Sequence, residues 1–256
     1  MFGGANMNFP GLGHLLHHSG AIFIKRSFQD NELYKVTLRH YIGYLMEKRF
    51  PMNWAFEGTR SRMGKLMPPR YGLLKYVLEA CHATDATNIH IIPISISYDL
   101  IRDVEEYATE QTGRGKGAES LRWFIGYVRS LAKPMGKVYM DIGEPVVLER
   151  APDPSDRLAL SKIAFEVAVE ANHVTPITFP SLVTMSLLGS SPKALTEAEV
   201  VEDLNALLGW AEARNLRISA DFDRAYADQM EGLLGLMIDE GIVTRYDEGP
   251  EIVYGI

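Results

Sequence analysis

The sequence is poor in cysteine and has no long run of purely hydrophobic residues. Cys81 is the one cysteine in 256 residues, so no disulfide can form within the chain, and a single thiol fits a reducing compartment. The charge-free span 173–192 contains Pro176, Pro180 and several hydroxyl side chains. This span therefore predicts a buried or interfacial helical segment in preference to a bilayer span.

Positive charge is scarce except near the beginning of the chain. The whole chain has 26 basic and 33 acidic residues, a net charge of −7. Residues 1–75, however, carry 11 lysine and arginine residues against 4 acidic ones. A local positive field of this kind attracts phosphorylated substrates and anionic membrane surfaces. The acidic remainder argues against a general nucleic-acid binder.

The pattern of apolar residues predicts an α/β protein with two parts. Strands are predicted at 20–26, 52–56, 88–97 and 137–142, and helices at 31–49, 71–83 and 121–131. Their alternation predicts a mostly parallel sheet flanked by helices over residues 1–150. After the proline-containing linker 151–156, residues 151–256 predict a helical domain with a capping box at Thr196–Glu199 and a terminal β-hairpin, an arrangement that resembles a winged helix.

Cations follow two of the predicted strands. Lys25 and Arg26 end the first, and the turn at Gly58 after residues 52–56 leads into Thr59, Arg60, Ser61 and Arg62, with Glu57 at its mouth. Arginine presents a planar fork of donors that fits phosphate oxygens in pairs. For one such stretch alone, solvated charges at a strand end are the simpler interpretation. Two of them on one sheet predict a cationic pocket for an anion.

Three stretches together resemble a known family. They are Gly20-Ala-Ile-Phe-Ile-Lys-Arg26, Phe56-Glu-Gly-Thr-Arg-Ser-Arg62 and Ile91-Ile-Pro-Ile-Ser-Ile-Ser-Tyr98. In order and spacing they are similar to the second, third and fourth blocks of the glycerolipid acyltransferases. The lysine before Arg26 favours the glycerol-3-phosphate acyltransferase branch, together with its dihydroxyacetone-phosphate relative.

The resemblance implies a role for each matching residue. Lys25, Arg26, Arg60 and Arg62 would bind the substrate phosphate. Glu57 would hold an arginine, and Gly58, Thr59 and Ser61 would shape the same loop. Pro93 would lie on the acyl-donor side. No cofactor and no metal are implied.

The implied activity is transfer of a fatty acyl group from acyl-CoA or acyl carrier protein to the sn-1 hydroxyl of glycerol 3-phosphate in phospholipid biosynthesis. We expect a peripheral location at the cytoplasmic face of a membrane. The alternatives are dihydroxyacetone phosphate as acceptor and a non-catalytic phosphate-binding or regulatory module. The acceptor's proton requires a base, which the family supplies from a His-x-x-x-x-Asp block, and none of the seven histidines has an aspartate five residues later. We therefore expect a fragment that is inactive alone.

Two other clusters of reactive side chains favour structural roles. Cys81, His82 and Asp85 occur at a helix end, where adjacent residues point apart and cannot easily form a relay. His14, His17 and His18 have the spacing of metal ligands but no nearby acidic or thiol ligand, so exposed histidines are the simpler interpretation.

Overall fold

The computed structural model describes residues 1–4, 12–25, 30–58, 65–100, 136–219 and 227–256, and the structural statements below concern these ranges. Their helices are α1 (Leu12–His18), α2 (Glu32–Glu47), α3 (Tyr71–Ala83), α4 (Arg157–Val174), α5 (Phe179–Ser190), α6 (Glu197–Glu212) and α7 (Ala227–Asp239). Their strands are β1 (Phe2–Gly4), β2 (Ile22–Ile24), β3 (Thr87–Ile91), β4 (Ile94–Tyr98), β5 (Val138–Ile142), β6 (Val146–Arg150), β7 (Leu195–Thr196), β8 (Thr244–Tyr246) and β9 (Val253–Gly255).

The chain forms two compact units, and each is described by itself. Among the described residues, unit 1 holds 1–4, 12–25, 30–58, 65–93 and 144–170, and unit 2 holds 94–100, 136–143, 171–219 and 227–256. The mixed α/β class, with a helical region and a terminal hairpin, is confirmed. The division into domains at residue 151 stays a prediction.

Unit 1 is built around the apolar faces of α2 and α3. Leu38, Ile42 and Leu45 recur at helical spacing and are buried, and they meet Val77 and Cys81 of α3 in one cluster. The Asn31 side chain caps α2 by accepting a hydrogen bond from the Tyr34 amide at 2.9 Å. A second cluster joins α3 to α4 and β6, and its buried members are Leu74, Leu78, Val146, Ile163, Ala164 and Val167.

The prediction of a mostly parallel sheet is wrong for the ladders that the structure describes. β1 and β2 pair in parallel, whereas β3 with β6, β4 with β5, and the terminal strands pair antiparallel. β6 was not predicted. It follows β5 after residues 143–145 and pairs antiparallel with β3, whereas β5 pairs antiparallel with β4.

Two predicted strands also differ from the structure. Residues 87–98 form two strands and not one, because Pro93 has no amide hydrogen to donate to a ladder. Residues 52–56 alternate between half-buried and exposed side chains, as a strand would, but no ladder includes them within the described part of the chain. The Phe2 amide donates to the Asn53 carbonyl at 2.7 Å, so the segment lies beside β1.

The resemblance of residues 151–256 to a winged helix stays a prediction, and unit 2 contains a group of three helices and three strands. Its elements follow the order α5, β7, α6, α7, β8, β9, and the three strands form a sheet in the order β7-β9-β8. The predicted hairpin is confirmed by the antiparallel pairing of β8 and β9. The predicted capping box is also confirmed: Thr196 and Glu199 bond each other's backbone amides at the start of α6.

The charge-free span 173–192 contains α5, whose buried face includes Leu182, Val183 and Leu187. These residues join the apolar core of unit 2 with Val200 and Leu204 of α6. A buried helical segment was predicted here and is confirmed. In the part of the chain that the structure describes, none of the helices is both long and apolar enough to span a bilayer.

Candidate functional site

The loop predicted to bind an anion, residues 57–65 (the anion loop), is held at both of its ends. At its start, the Gly58 amide donates to the Ala55 carbonyl at 3.1 Å, which closes a β-turn. After the loop, the Arg70 amide donates to the Phe56 carbonyl at 3.0 Å. The two ends of the loop therefore lie next to each other. Residues 59–64, between these ends, lie outside the described residues.

Glu57 provides a second bond across the loop. Its Oε2 atom accepts a hydrogen bond from the Met67 amide at 2.8 Å, and its side chain is half-buried. A charged acceptor makes this bond stronger than a neutral one. Glu57 thus fastens the loop through the backbone. Its predicted contact with an arginine stays a prediction.

Gly58 is required at its position for two reasons. Its φ is +64°, in the left-handed region that favours glycine. A Cβ atom there would lie 2.8 Å from Cγ of Arg70. The stem of Arg70 thus packs directly over the turn, and the residue itself is exposed. Arg70 adds a cation beside the loop that sequence reasoning missed, because no motif residue marks it.

Lys25 lies at the end of β2 and contacts α2. Its backbone amide donates to the Tyr34 hydroxyl at 3.1 Å, and its Nζ atom is 5.4 Å from the centre of the Tyr34 ring. The residue is exposed. An exposed lysine whose backbone is held in this way is suited to bind an anion from solvent.

Of the other predicted site residues, Pro93 is buried and is the last residue of unit 1 before β4. Arg26, Thr59, Arg60, Ser61 and Arg62 lie outside the described residues. The structure thus shows how the ends of the loop are held. The assignment of the cations to a phosphate stays a prediction.

The clusters given structural interpretations fit the structure. Cys81 is fully buried, and this burial raises the pKa of its thiol above the usual value, which opposes a nucleophilic role. The rings of His14 and His18 contact each other at a tilt of 50° with ring centres 4.2 Å apart, and both residues are exposed. Across the described ranges, no group of three or more metal-ligand side chains occurs.

A cleft of about 310 Å³ in unit 1 lies away from the predicted residues. It is formed by α3 and residues 152–157, with Lys75 and Glu79 on one side and Asp153 on the other. Hydrogen bonds from Ser155 lower the pKa of Asp153, so this carboxylate stays charged near neutral pH. The lining contains neither Lys25 nor Glu57, and no substrate role is assigned to the cleft.

Comparison with known sequences decides the family. A family profile described as the glycerol-3-phosphate acyltransferase C-terminal region matches residues 107–256, more than half of the chain. The chain belongs to the glycerol-3-phosphate acyltransferase family. A second profile, for acyltransferases in general, matches residues 1–97, which include all three stretches noted in the sequence up to Ser97.

Relatives of this family member come from several bacteria. A Mycobacterium tuberculosis protein (strain H37Rv), provisionally named acyltransferase plsB1, is 34% identical over 261 residues, covering 100% of this chain and 42% of its own length. A Mycobacterium bovis protein of the same name gives the same values. The glycerol-3-phosphate acyltransferase of Hamiltonella defensa is 30% identical over 226 residues, covering 80% of this chain and 28% of its own length. The chain therefore spans less than half the length of these relatives.

Proposed function

We propose that this chain binds the phosphate of glycerol 3-phosphate and serves the transfer of a fatty acyl group from acyl-CoA or acyl carrier protein to the sn-1 hydroxyl, a step of phospholipid biosynthesis. Family membership supports the reaction class. The observation that carries the proposal is the clamped loop: two hydrogen bonds, from the Arg70 amide to the Phe56 carbonyl and from the Met67 amide to Glu57, hold together the ends of a segment containing two arginines.

The chemistry assigns a task to each group. The sn-1 hydroxyl oxygen attacks the thioester carbonyl, a C–O bond forms, the C–S bond breaks, and the hydroxyl proton ends on the leaving thiol. Holding the phosphate aims this hydroxyl and contributes much of the rate gain. In this proposal Lys25, Arg26, Arg60 and Arg62 hold the phosphate. Glu57, Gly58 and Arg70 hold the loop, and Pro93 borders the thioester.

The proton transfer needs a general base, and no His-x-x-x-x-Asp pair occurs in these 256 residues. We expect this chain by itself to bind glycerol 3-phosphate and to be inactive or nearly so in acyl transfer. The assay is release of free thiol from acyl-CoA in the presence of glycerol 3-phosphate. Turnover comparable to that of a full-length relative would overturn this expectation.

Calorimetric titration with glycerol 3-phosphate tests the binding site itself. Arg60→Ala should weaken binding at least tenfold, because a charge-assisted hydrogen bond contributes about 1.5–3 kcal/mol. Lys25→Gln should weaken it less. The matched control is Lys162→Gln, which removes an exposed cation of α4 in the same unit. Equal affinities for Arg60→Ala and the control would refute the assignment of the loop.

The same titration also tests two alternative functions. Dihydroxyacetone phosphate carries the same phosphate, and a side-by-side titration and acyl-transfer assay separates the two acceptors. A non-catalytic phosphate-binding or regulatory module is the second alternative. It predicts binding without thioester consumption even when a full-length protein is assayed.

We also propose a peripheral location at the cytoplasmic face of a membrane, where the acylated product would enter the bilayer. The cationic balance of residues 1–75 supports it. Co-fractionation of the chain with membranes, reversed by high salt, would be the expected result, and recovery in the soluble fraction at low salt would contradict the proposal.

A further inference from the structure

Arg70 lies where the chain returns from the anion loop, and its side chain crosses the turn at Gly58. Its amide donates to the Phe56 carbonyl at 3.0 Å. A Cβ atom on Gly58 would lie 2.8 Å from Cγ of Arg70, 3.2 Å from its Cβ and 4.0 Å from its Cδ. Because the guanidinium carbon is about 2.5 Å beyond Cδ, it lies within about 7 Å of that Cβ position. The charge of Arg70 is therefore held beside the turn that leads into the segment with the two arginines.

This charge has no protein partner in the part of the chain that the structure describes. Arg70 is exposed, and within the described ranges no carboxylate lies at ion-pair distance from it and no aromatic ring lies under it. Other arginines of the chain are paired: Arg39 contacts Glu79 at 3.0 Å, and Arg217 contacts Asp141. The guanidinium of Arg70 is thus available to a ligand.

The position is also unfavourable for a cation. Arg70 is the N-cap residue of α3, where a guanidinium has no acceptor with which to cap the helix. The positive end of the helix dipole repels a cation there, and the first turn of α3 contains no acidic residue to offset it. An uncharged side chain of the same length would make the same contact with Gly58. A charge that breaks the local rules without a structural gain is typical of a functional site.

We propose that the guanidinium of Arg70 binds the phosphate of glycerol 3-phosphate together with the cations of the anion loop. An arginine fork donates two parallel hydrogen bonds to phosphate oxygens, and an alkyl phosphate carries a charge of about −1.5 to −2 near neutral pH. The amide of the same residue fastens the loop, so a bound phosphate would also link the two ends of the loop. This inference rests on the proposed function. It adds a residue that lies outside the three stretches resembling the family.

The experiment is calorimetric titration of the purified chain with glycerol 3-phosphate and, separately, with inorganic phosphate. Arg70→Gln removes the charge and keeps the Cβ, Cγ and Cδ atoms over Gly58. Arg70→Lys keeps the charge and replaces the fork with a single ammonium group. The matched control is Arg157→Gln, which removes an exposed cation from the first residue of α4 in the same unit. Urea denaturation is recorded for every protein.

Arg70→Gln should weaken the binding of both ligands by the same factor, at least about tenfold, because the contact is with the phosphate group. Arg70→Lys should weaken binding less than Arg70→Gln. The urea midpoint of Arg70→Gln should be native or higher, because the change removes a cation from the positive end of α3. The control should bind both ligands with native affinity.

Equal affinities for Arg70→Gln and the control overturn the inference, because the side chain would then serve only the turn. Equal losses for Arg70→Gln and Arg70→Lys also overturn it, as does a loss for glycerol 3-phosphate without a loss for inorganic phosphate. If Arg60→Ala weakens binding and Arg70→Gln does not, the proposed function stands and this inference alone fails. A native chain that binds neither ligand overturns both.

Discussion

Gly58→Ala is the sharpest test of how the anion loop is held. Gly58 has a φ of +64°, and an alanine there costs about 1 kcal/mol or slightly more, because its Cβ crowds the backbone in the left-handed region. The added Cβ would also lie 2.8 Å from Cγ of Arg70 and 3.2 Å from its Cβ. The first of these distances is shorter than normal contact, so the Arg70 stem has to move.

The two effects together set the magnitude. Arg70 is exposed, so its stem can move at a modest cost. We expect a total of about 1–2 kcal/mol, which corresponds to glycerol 3-phosphate binding weakened about tenfold if the loop must be closed to bind. The steric part can be separated by a double-mutant cycle with Arg70→Ala, which removes the contact with Cγ and leaves the φ cost.

Calorimetry for binding and urea denaturation for stability are the assays. Gly43→Ala is the matched control, since Gly43 lies inside α2 with no atom within 4 Å of an added Cβ. This control should leave binding unchanged and raise the free energy of unfolding by up to about 1 kcal/mol. The reasoning fails if Gly58→Ala binds glycerol 3-phosphate with native affinity, or if the cycle shows no coupling between residues 58 and 70.

Three further predictions concern stability, measured by urea denaturation. Thr196→Ala should lower the free energy of unfolding by about 1 kcal/mol, because it removes the cap of α6. The control is Ser161→Ala, which removes a hydroxyl inside a helix. An equal change in free energy for the two variants would count against the cap. Leu204 is fully buried in unit 2, so Leu204→Ala should lower the free energy of unfolding by about 2–5 kcal/mol. Leu158 is 63% exposed, so Leu158→Ala should lower it by less than about 0.5 kcal/mol. Similar values for the two variants would contradict the described core. Burial raises the pKa of Cys81, so the folded chain keeps a proton that the unfolded chain loses above pH of about 8.5. Stability should therefore fall as pH rises past that value, and Cys81→Ala should remove this part of the slope.

Local sequence signals predicted the helices well. The pattern of α3 fixed its limits at Tyr71 and Ala83, and the capping box at Thr196 marked the start of α6. Such signals succeed because they act between residues within four positions of each other. The terminal hairpin was predictable for the same reason, since its turn lies between its two strands.

Strand pairing could not be read in the same way. The alternation of residues 52–56 reports an extended segment and does not name a partner, and the pairing of β3 with β6 joins residues about 60 positions apart. Alternation also leaves open which face is covered. In β4, Ile94 and Ile96 are about half exposed, whereas Ser95 between them hydrogen-bonds the Thr175 hydroxyl at 2.8 Å.

For the candidate site, too, the sequence predicted local features and the tertiary structure showed the long-range contacts. Residue types and spacing predicted a loop suited to an anion, with Glu57 and Gly58 at its start, because the chemistry of arginine and the freedom of glycine belong to single residues; the resemblance to the family added the phosphate, and this assignment stays a prediction. Only the tertiary structure showed that Met67 and Arg70 return to fasten that loop. Contacts between residues far apart in sequence depend on how the whole chain packs, and no local pattern encodes them.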